Sequence, residues 1–317
     1  MSTTTPPPTT ALMPGTKGLA GRLSAGATRS FRLLLSTWQG RIGLFVLAAF
    51  VVVAVLAPWI APYPDITSED SFTNTYLAHP SSDHLLGTDD SGQDVLSKLI
   101  LGSRISLLVG FAAALVSSVI GSVVGITAGY FGGWIDRILT AIDDWVLVIP
   151  ILPLAVVLAA LLGKQAKSWP GGQVMILILV IGLTGWAGTS RIVRSQVLSV
   201  KERMFVERAK ALGASTPWII RKQILPNVLP LVFANTVLIV AVSILTESTL
   251  SFLGLGDPTQ PSWGTLLNAA NASGAEAQGA WWFYLPPGIC IVLVVLAFTL
   301  IGYAVEEIVN PKLRERR

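Results

Sequence analysis

The chain has 317 residues, of which 52% are hydrophobic and 13% are charged, and its mean hydropathy is +0.66. These values exclude an ordinary soluble globule and are typical of a membrane protein. The formal net charge of +4 does not indicate nucleic-acid binding. Membrane proteins carry an excess of Lys and Arg in their cytoplasmic loops, and that bias accounts for the charge.

Six apolar runs approach or exceed the roughly 20 residues that a helix needs to cross a bilayer. Because backbone polar groups in lipid must be bonded within their own segment, we expect α-helices. The third run is the least regular, since it contains Asp143, Asp144, Pro150 and Pro153. The sequence therefore predicts an all-α polytopic membrane protein with six transmembrane helices. The runs are residues 42–60, 105–130, 138–162, 174–190, 228–245 and 283–305.

Lys and Arg are distributed unevenly between the two sides of this topology. With the N-terminus inside, only Lys98, Arg104, Lys164 and Lys167 fall on the outer side. The positive-inside rule then places both termini in the cytoplasm. The predicted organisation is a disordered cytoplasmic tail (1–30), an anchor helix (31–62), an extracytoplasmic loop (63–100), a membrane core (101–305) with a cytoplasmic loop (191–227), and a cytoplasmic C-terminal tail (306–317).

Small residues recur every fourth position along the second apolar run. Such a ridge lets a neighbouring helix approach closely. The pattern predicts a helix–helix interface, either within this chain or with a partner. The residues of the ridge are Ala113, Ser117, Gly121, Gly125 and Gly129.

The loop between the fourth and fifth apolar runs contains a short helical pattern. Residues 206–212 make about two helical turns, with Ala209 as a position of close approach. Glu207 and Lys210 complement the helix dipole, and Gly213 suits the left-handed conformation that ends a helix. One interpretation is a rigid docking element, and the other is a basic loop attracted to anionic lipid.

This segment resembles the cytoplasmic signature of the inner-membrane permease subunits of ABC importers. That signature places Glu-Ala-Ala, Gly and Leu-Pro at the spacings found here, although Arg208 and Gln223 replace an Ala and an Ile. The resemblance implies a coupling helix that seats in a cleft of an ATPase subunit. It assigns this contact to Glu207, Arg208, Ala209, Lys210, Ala211, Leu212, Gly213, Leu225 and Pro226.

Four further segments resemble the permeases of dipeptide and oligopeptide importers, specifically the C-type subunit. These segments are residues 86–97, 128–133, 250–256 and 261–264. The resemblance implies a type I ABC importer permease fold in the bacterial cytoplasmic (inner) membrane. It also implies a related permease subunit, two ATPase subunits, an extracytoplasmic peptide-binding protein and a peptide substrate as partners, besides membrane lipids.

No Walker A pattern occurs in the sequence, since residues 163–164 lack both the upstream glycine and the following Ser or Thr. We therefore expect no cofactor in this chain, no enzymatic activity of its own, and ATP and Mg on the partner ATPase subunits. Two alternatives remain open. One is a permease for nickel or another small solute, and the other is a membrane scaffold that takes no part in transport.

Three acidic residues are predicted at or near membrane depth, where an unpaired charge is costly. Asp143 and Asp144 lie early in the third run, and Glu247 lies near the outer end of the fifth. They are candidate pathway or gate residues. The alternatives are an interfacial position for the two aspartates and a polar helix contact for Glu247.

The outer loop is acidic and also contains both histidines of the chain, His79 and His84. It either receives a binding protein or substrate, or it is simply solvated, and we favour the solvated interpretation. The spacing of these residues does not predict a metal site. The acidic residues are Asp65, Glu69, Asp70, Asp83, Asp89, Asp90 and Asp94.

Overall fold

The computed structural model describes residues 34–66, 75–166 and 172–309. The predicted N-terminal tail and most of the predicted C-terminal tail lie outside these ranges. The described residues are mainly helical, with an isolated β-bridge between Thr88 and Asp94. The all-α prediction is therefore confirmed for this part of the chain.

Ten α-helices and two π-helical turns have described bounds, and residues 34–36 are also helical. The helices are α1 (Trp38–Ile60), α2 (Val95–Phe131), α3 (Gly133–Val148), α4 (Ile151–Gly163), α5 (Gly172–Lys201), α6 (Met204–Ala211), α7 (Thr216–Ile219), α8 (Leu225–Leu250), α9 (Trp263–Ala272) and α10 (Trp281–Val309). The π-helical turns, Ile220–Ile224 and Ser251–Leu255, flank α8.

Five helical segments in the described chain are long and apolar enough to cross a membrane, and the bent pair α3 and α4 brings the number to six if it is counted as one span. The prediction of one continuous helix over residues 138–162 is wrong, because α3 and α4 meet at an angle of 88°. Pro150 has no amide hydrogen, and Ile149 before it is extended, with φ −75° and ψ 127°. A residue that precedes proline is disfavoured in the helical region, so the helix ends there.

Three predicted boundaries shift in the structure. The helix α2 begins at Val95, so the outer loop ends before residue 100. The helix α5 continues to Lys201, and α8 begins at Leu225, so the segment 191–227 is largely helical. Arg191 and Arg194 lie within this helix, where they form ion pairs with acidic residues of α3.

The helices α2 and α5 pack along their length, and α8 and α10 complete the bundle with α1 at its side. Polar side chains join three of these helices in the interior. The hydroxyl groups of Thr236 in α8 and Ser118 in α2 share a hydrogen bond of 2.8 Å, and Asn235 donates to Thr189 of α5 at 3.1 Å. We call the end that carries α6 and α7 the basic end, and the end that carries residues 75–94 and α9 the opposite end.

Candidate functional site

The short helix α6 is attached to the basic end by two buried side chains. Val206 is fully buried and Ala209 nearly so. They belong to an apolar cluster that includes residues of α5, α7 and the start of α8. The contacts fix one face of α6 against the bundle, and Ala209 occupies the position of close approach that its small side chain predicts.

The other face of α6 is exposed. Glu207, Arg208, Lys210 and Ala211 are all accessible, and the side chain of Leu212 is 88% exposed. Charges of both signs therefore surround an apolar side chain that this chain does not cover. A surface of this kind fits a protein partner better than a purely basic surface would.

A Schellman motif ends α6 at Gly213. This residue has φ +78°, the left-handed conformation that the sequence predicts for it. Its amide donates to the carbonyl of Lys210 at 2.9 Å, and the amide of Ala214 donates to the carbonyl of Ala209 at 3.0 Å. Both bonds satisfy carbonyl groups that the helix end would leave open, so the end of α6 is rigidly defined.

Leu225 and Pro226 form the first turn of α8. Pro226 has no amide hydrogen to donate, and the π-helical turn Ile220–Ile224 directly precedes this first turn in a continuous helical segment. The π-helical turn Ile220–Ile224 joins this turn to α7, and Ile219 and Ile224 are buried in the cluster that anchors α6. The motif residues of α6 and α8 therefore share one packed base.

The five small residues of the predicted ridge are buried on α2 and lie against α5. A Cβ atom on Gly121 would lie 2.6 Å from the carbonyl oxygen of Trp186, and one on Gly125 would lie 2.5 Å from that of Ser190. Gly129 is similarly close to Val197. The neighbour that the sequence left open is therefore a helix of this same chain.

The two candidate aspartates of α3 have different surroundings. Asp143 is fully buried, and its Oδ2 atom accepts a hydrogen bond of 2.8 Å from Ser190 of α5. Asp144 is about half exposed and pairs with Arg191. Of the two, only Asp144 has the accessible position expected of an interfacial residue. Both contact α5, and a pathway or gate role for either stays a prediction.

The third acidic residue, Glu247, is fully buried near the end of α8. Its Oε1 atom accepts a hydrogen bond of 2.8 Å from Ser251, and the hydroxyl of Ser248 lies 3.3 Å from Oε2. The side chains of Ser106 and Ser262 also lie beside this carboxylate. Glu247 therefore lies among polar side chains from three places: α2 (Ser106), the π-helical turn that follows α8 (Ser251), and the residue before α9 (Ser262).

Two acidic residues of the outer loop are not solvated, which corrects the favoured interpretation. Asp89 accepts the amides of Ser91 and Gln93 and pairs with Lys98. Asp94 accepts the amide of Ser97 at 2.7 Å and so caps α2.

His84 is the second side chain that contacts Asp94. Its Nδ1 atom lies 3.0 Å from the carboxylate of Asp94, and its ring stacks on Tyr63. His79 lies against the ring of Trp282 instead. Asp65, Asp83 and Asp90 are exposed, whereas Glu69 and Asp70 lie outside the described residues.

The environment of Asp90 shows how closely these loop carboxylates are placed. Although Asp90 is accessible, the surrounding loop partly desolvates its carboxylate, and this desolvation, followed by the nearby negative charge of Asp89, raises the pKa of Asp90. Lys98 opposes this effect. Residues 75–94 of the outer loop thus form a defined cap on the start of α2, held by the buried carboxylates of Asp89 and Asp94.

Sequence reasoning missed the ion pair between Asp136 of α3 and Arg194 of α5. The guanidinium contacts both carboxylate oxygens, at 2.5 and 2.7 Å. A signal was present, because Asp136, Asp143 and Asp144 recur on one helical face that could meet Arg191 and Arg194. This bidentate pair fastens the basic end of α3 to α5.

Comparison with protein families gives two matches. Residues 121–315 match the model of the binding-protein-dependent transport system inner membrane component. Residues 31–80 match the model of the N-terminal TM domain of oligopeptide transport permease C.

Named relatives align over most of the chain. It is 39% identical to the dipeptide transport system permease protein DppC of Bacillus subtilis (strain 168), over 90% of this chain and 85% of that protein. It is 34% identical to the oligopeptide transport system permease protein OppC of Mycobacterium bovis, over 88% and 93%. It is 36% identical to the glutathione transport system permease protein GsiD of Escherichia coli O157:H7, over 86% and 85%.

A solved structure supports the fold. A chain from the inward-facing MetNI methionine ABC transporter aligns with a TM-score of 0.51 at 20% identity, over 67% of this chain and 94% of that one. At this identity the likeness concerns the fold alone, and it agrees with the expected importer permease fold. From the family match and the relatives together, the chain belongs to the family of binding-protein-dependent transport system inner membrane components.

Proposed function

We propose that this chain is a permease subunit of an ATP-driven importer of dipeptides or oligopeptides. It forms half of the translocation pathway, and a related permease subunit forms the other half. The support for the peptide cargo is the naming of its relatives, which are dipeptide, oligopeptide and glutathione permeases. These relatives do not favour nickel as the cargo.

The observation that carries the coupling part of the proposal is the attachment of α6. Its buried residues Val206 and Ala209 bind it to the ends of α5 and α8, while Glu207, Arg208 and Leu212 remain exposed. An ATPase subunit that grips the exposed face moves the two long helices with it. ATP and Mg bind to the two ATPase subunits, and this chain contributes no cofactor and no catalytic residue.

The orientation follows from charge. With α6 in the cytoplasm, both termini are cytoplasmic and the opposite end faces an extracytoplasmic peptide-binding protein. Lys and Arg are then concentrated inside, as expected for a multi-pass protein of the bacterial inner membrane. The exposed residues around α6 include Arg203, Arg208 and Lys210. A protein partner, not a nucleic acid, occupies this surface.

The experiment that tests the function is uptake of labelled dipeptides and oligopeptides by cells with and without this gene. Nickel uptake is measured in parallel, and the native gene is restored on a plasmid as the control. We expect the deletion to abolish ATP-dependent uptake of peptides of one length class, and the plasmid to restore it. Lost nickel uptake with normal peptide uptake would replace the peptide proposal with a metal cargo.

A second measurement addresses the partners. Purification of the tagged chain from native membranes should recover two ATPase subunits and a second permease. Recovery of the chain with a cytosolic protein that has no ATPase activity would instead support the scaffold alternative.

A further inference from the structure

Glu247 is a buried carboxylate held by serine hydroxyl groups. Its exposed fraction is 0%, and within the described ranges no Lys, Arg or His forms an ion pair with it. Burying a carboxylate is costly unless hydrogen bonds satisfy its oxygen atoms. Ser248 and Ser251 direct their hydroxyl groups to these oxygen atoms, and the side chains of Ser106 and Ser262 lie beside the carboxylate.

Two of these serines also hold the first turn of α9. The Oγ atom of Ser106 accepts the amide of Trp263 at 3.2 Å, and that of Ser262 accepts the amide of Thr265 at 3.2 Å. A hydroxyl group has one hydrogen, and when it points to Glu247 the oxygen lone pairs remain for the amide. Glu247 therefore sets the orientation in which both serines receive α9.

The backbone at this point is too close to α8 for α9 to shift freely. A Cβ atom on Gly264 would lie 2.6 Å from the carbonyl oxygen of Ser248. Trp263 is fully buried, and its indole nitrogen donates to the carbonyl of Leu99 at 3.1 Å. A negative charge beside the first turn of a helix is also favourable to the helix dipole. The first turn of α9 is thus held close to the end of α8 that carries Glu247.

The helix that carries Glu247 reaches the other end of the molecule. From α7 through the two π-helical turns, residues 216–255 form one long helical segment. Its first residues share the apolar cluster that anchors α6, which includes Ile219, Ile224 and Val228. A displacement of α6 therefore has a continuous helical route to Glu247.

We propose that Glu247 is a positioning residue that fixes α9 to the end of α8, so that movement at α6 and movement at α9 are coupled. The coupling works in both directions, since a coupling free energy between two sites is reciprocal. A partner that binds at the opposite end then acts on the ATPase subunits through this contact. This inference rests on the proposed function for the identity of those partners.

The test uses the assembled importer in lipid nanodiscs, with the native chain, Glu247→Gln and Glu306→Gln compared. Gln keeps the shape of the side chain but replaces an acceptor oxygen with an NH₂ group that faces hydroxyl donors. Glu306 is exposed near the end of α10 and provides the matched control. Hydrogen exchange over residues 256–272 is measured, together with ATP hydrolysis with and without binding protein and peptide.

We expect Glu247→Gln to raise amide exchange at Trp263 and Thr265 about tenfold, the effect of losing one hydrogen bond to a charged group. Basal ATP hydrolysis should persist, while its stimulation by binding protein and peptide should fall about tenfold. Glu306→Gln should match the native chain in both. A general loss of folding would lower basal hydrolysis too, so the split between basal and stimulated rates identifies a positioning role.

Unchanged exchange in Glu247→Gln would overturn the anchoring role, and faster exchange with full stimulation would overturn the coupling role. If Glu247→Gln does not assemble, Ser251→Ala removes a single donor and should raise exchange by a smaller factor; no change would count against the anchor. Should the native importer ignore peptides altogether, the proposed function fails, while the exchange comparison still decides whether Glu247 anchors α9.

Discussion

Two short helices at opposite ends of the bundle, α6 and α9, are built differently. The helix α9 begins with a capping box between Ser262 and Thr265, and Trp263 in its first turn is fully buried. The helix α6 has no side-chain cap at its N-terminus, and two of its eight residues, Val206 and Ala209, are buried. One helix is completed by contacts within the chain, and the other leaves most of its surface open.

This difference in burial indicates which of the two helices needs a partner protein to cover its exposed surface. At α9 the polar groups of the first turn bond to serines of this chain, so the element is stable by itself. At α6 the exposed residues have mixed charge, and Leu212 lies in solvent without cover. Substitutions at α9 should therefore change the stability of this chain, whereas substitutions at α6 should change its coupling.

The largest effect on stability is expected for Trp263→Ala. Removing a fully buried indole, which also loses its bond to Leu99, should lower stability by about 3 kcal/mol or more. The matched change Trp218→Ala in α7, where the side chain is 45% exposed, should cost less than half as much. Thermal unfolding of the purified chain in detergent measures both. Equal losses would remove the distinction between the two ends.

Gly213→Pro should produce the largest loss of transport with little loss of insertion. Proline cannot adopt the φ of +78° found here, and it removes the amide that donates to Lys210. We expect peptide uptake to fall about tenfold or more, because α6 loses its defined end.

Gly213→Ala gives the graded version of the same change. A left-handed alanine costs about 1–2 kcal/mol and retains the amide. Uptake by this variant should lie between the native chain and Gly213→Pro. Membrane levels are measured by immunoblot for all three. Normal uptake by a well-expressed proline variant would contradict the role of the helix end.

Glu207→Lys should weaken attachment of the ATPase subunits without unfolding the chain, since Glu207 is exposed and near the positive end of the α6 dipole. We expect several-fold lower recovery of ATPase subunits with the tagged chain, a change of about 1 kcal/mol. The same charge reversal at Glu306, exposed on α10, is the control. Equal recovery of the ATPases from both variants would exclude Glu207 from the contact.

The smallest effect is expected at the exposed ion pair of the basic end. Asp144→Asn breaks the contact with Arg191, in which both side chains are about half exposed, and should cost under about 0.5 kcal/mol. Asp136→Asn breaks a less exposed bidentate pair with Arg194 and should cost about 1 kcal/mol. The two variants are unfolded in parallel at two salt concentrations. This measurement checks whether Asp144→Asn loses less stability than Asp136→Asn.

The sequence is sufficient for features that depend on local chemistry. Apolar runs predict the spans because a bilayer demands length and internal hydrogen bonding. The spacing of Ala113, Ser117, Gly121, Gly125 and Gly129 predicts a close helix contact because small side chains permit it. Gly213 predicts a left-handed helix end for the same kind of reason.

Features that depend on residues far apart in the chain are not predictable in this way. Arg191 resembles a helix boundary in the sequence, and the acidic residue that neutralises it lies 47 positions away. Asp89 and Asp94 are a different case, because their partners lie nearby in the sequence, and an Asp directly before the helix that starts at Val95 is a recognisable N-cap signal. The polar surroundings of Glu247 in α8 include Ser106, which lies on another helix, α2.

The 88° bend between α3 and α4 limits what can lie beside it. At Ile149 and Pro150 the run of helical backbone bonds is interrupted, and Val148, Ile149 and Pro150 are exposed on the isolated chain. Hydrocarbon cannot satisfy the carbonyl groups freed at such a break; protein or water must do so. The bend therefore lies against protein or water and not against the acyl chains.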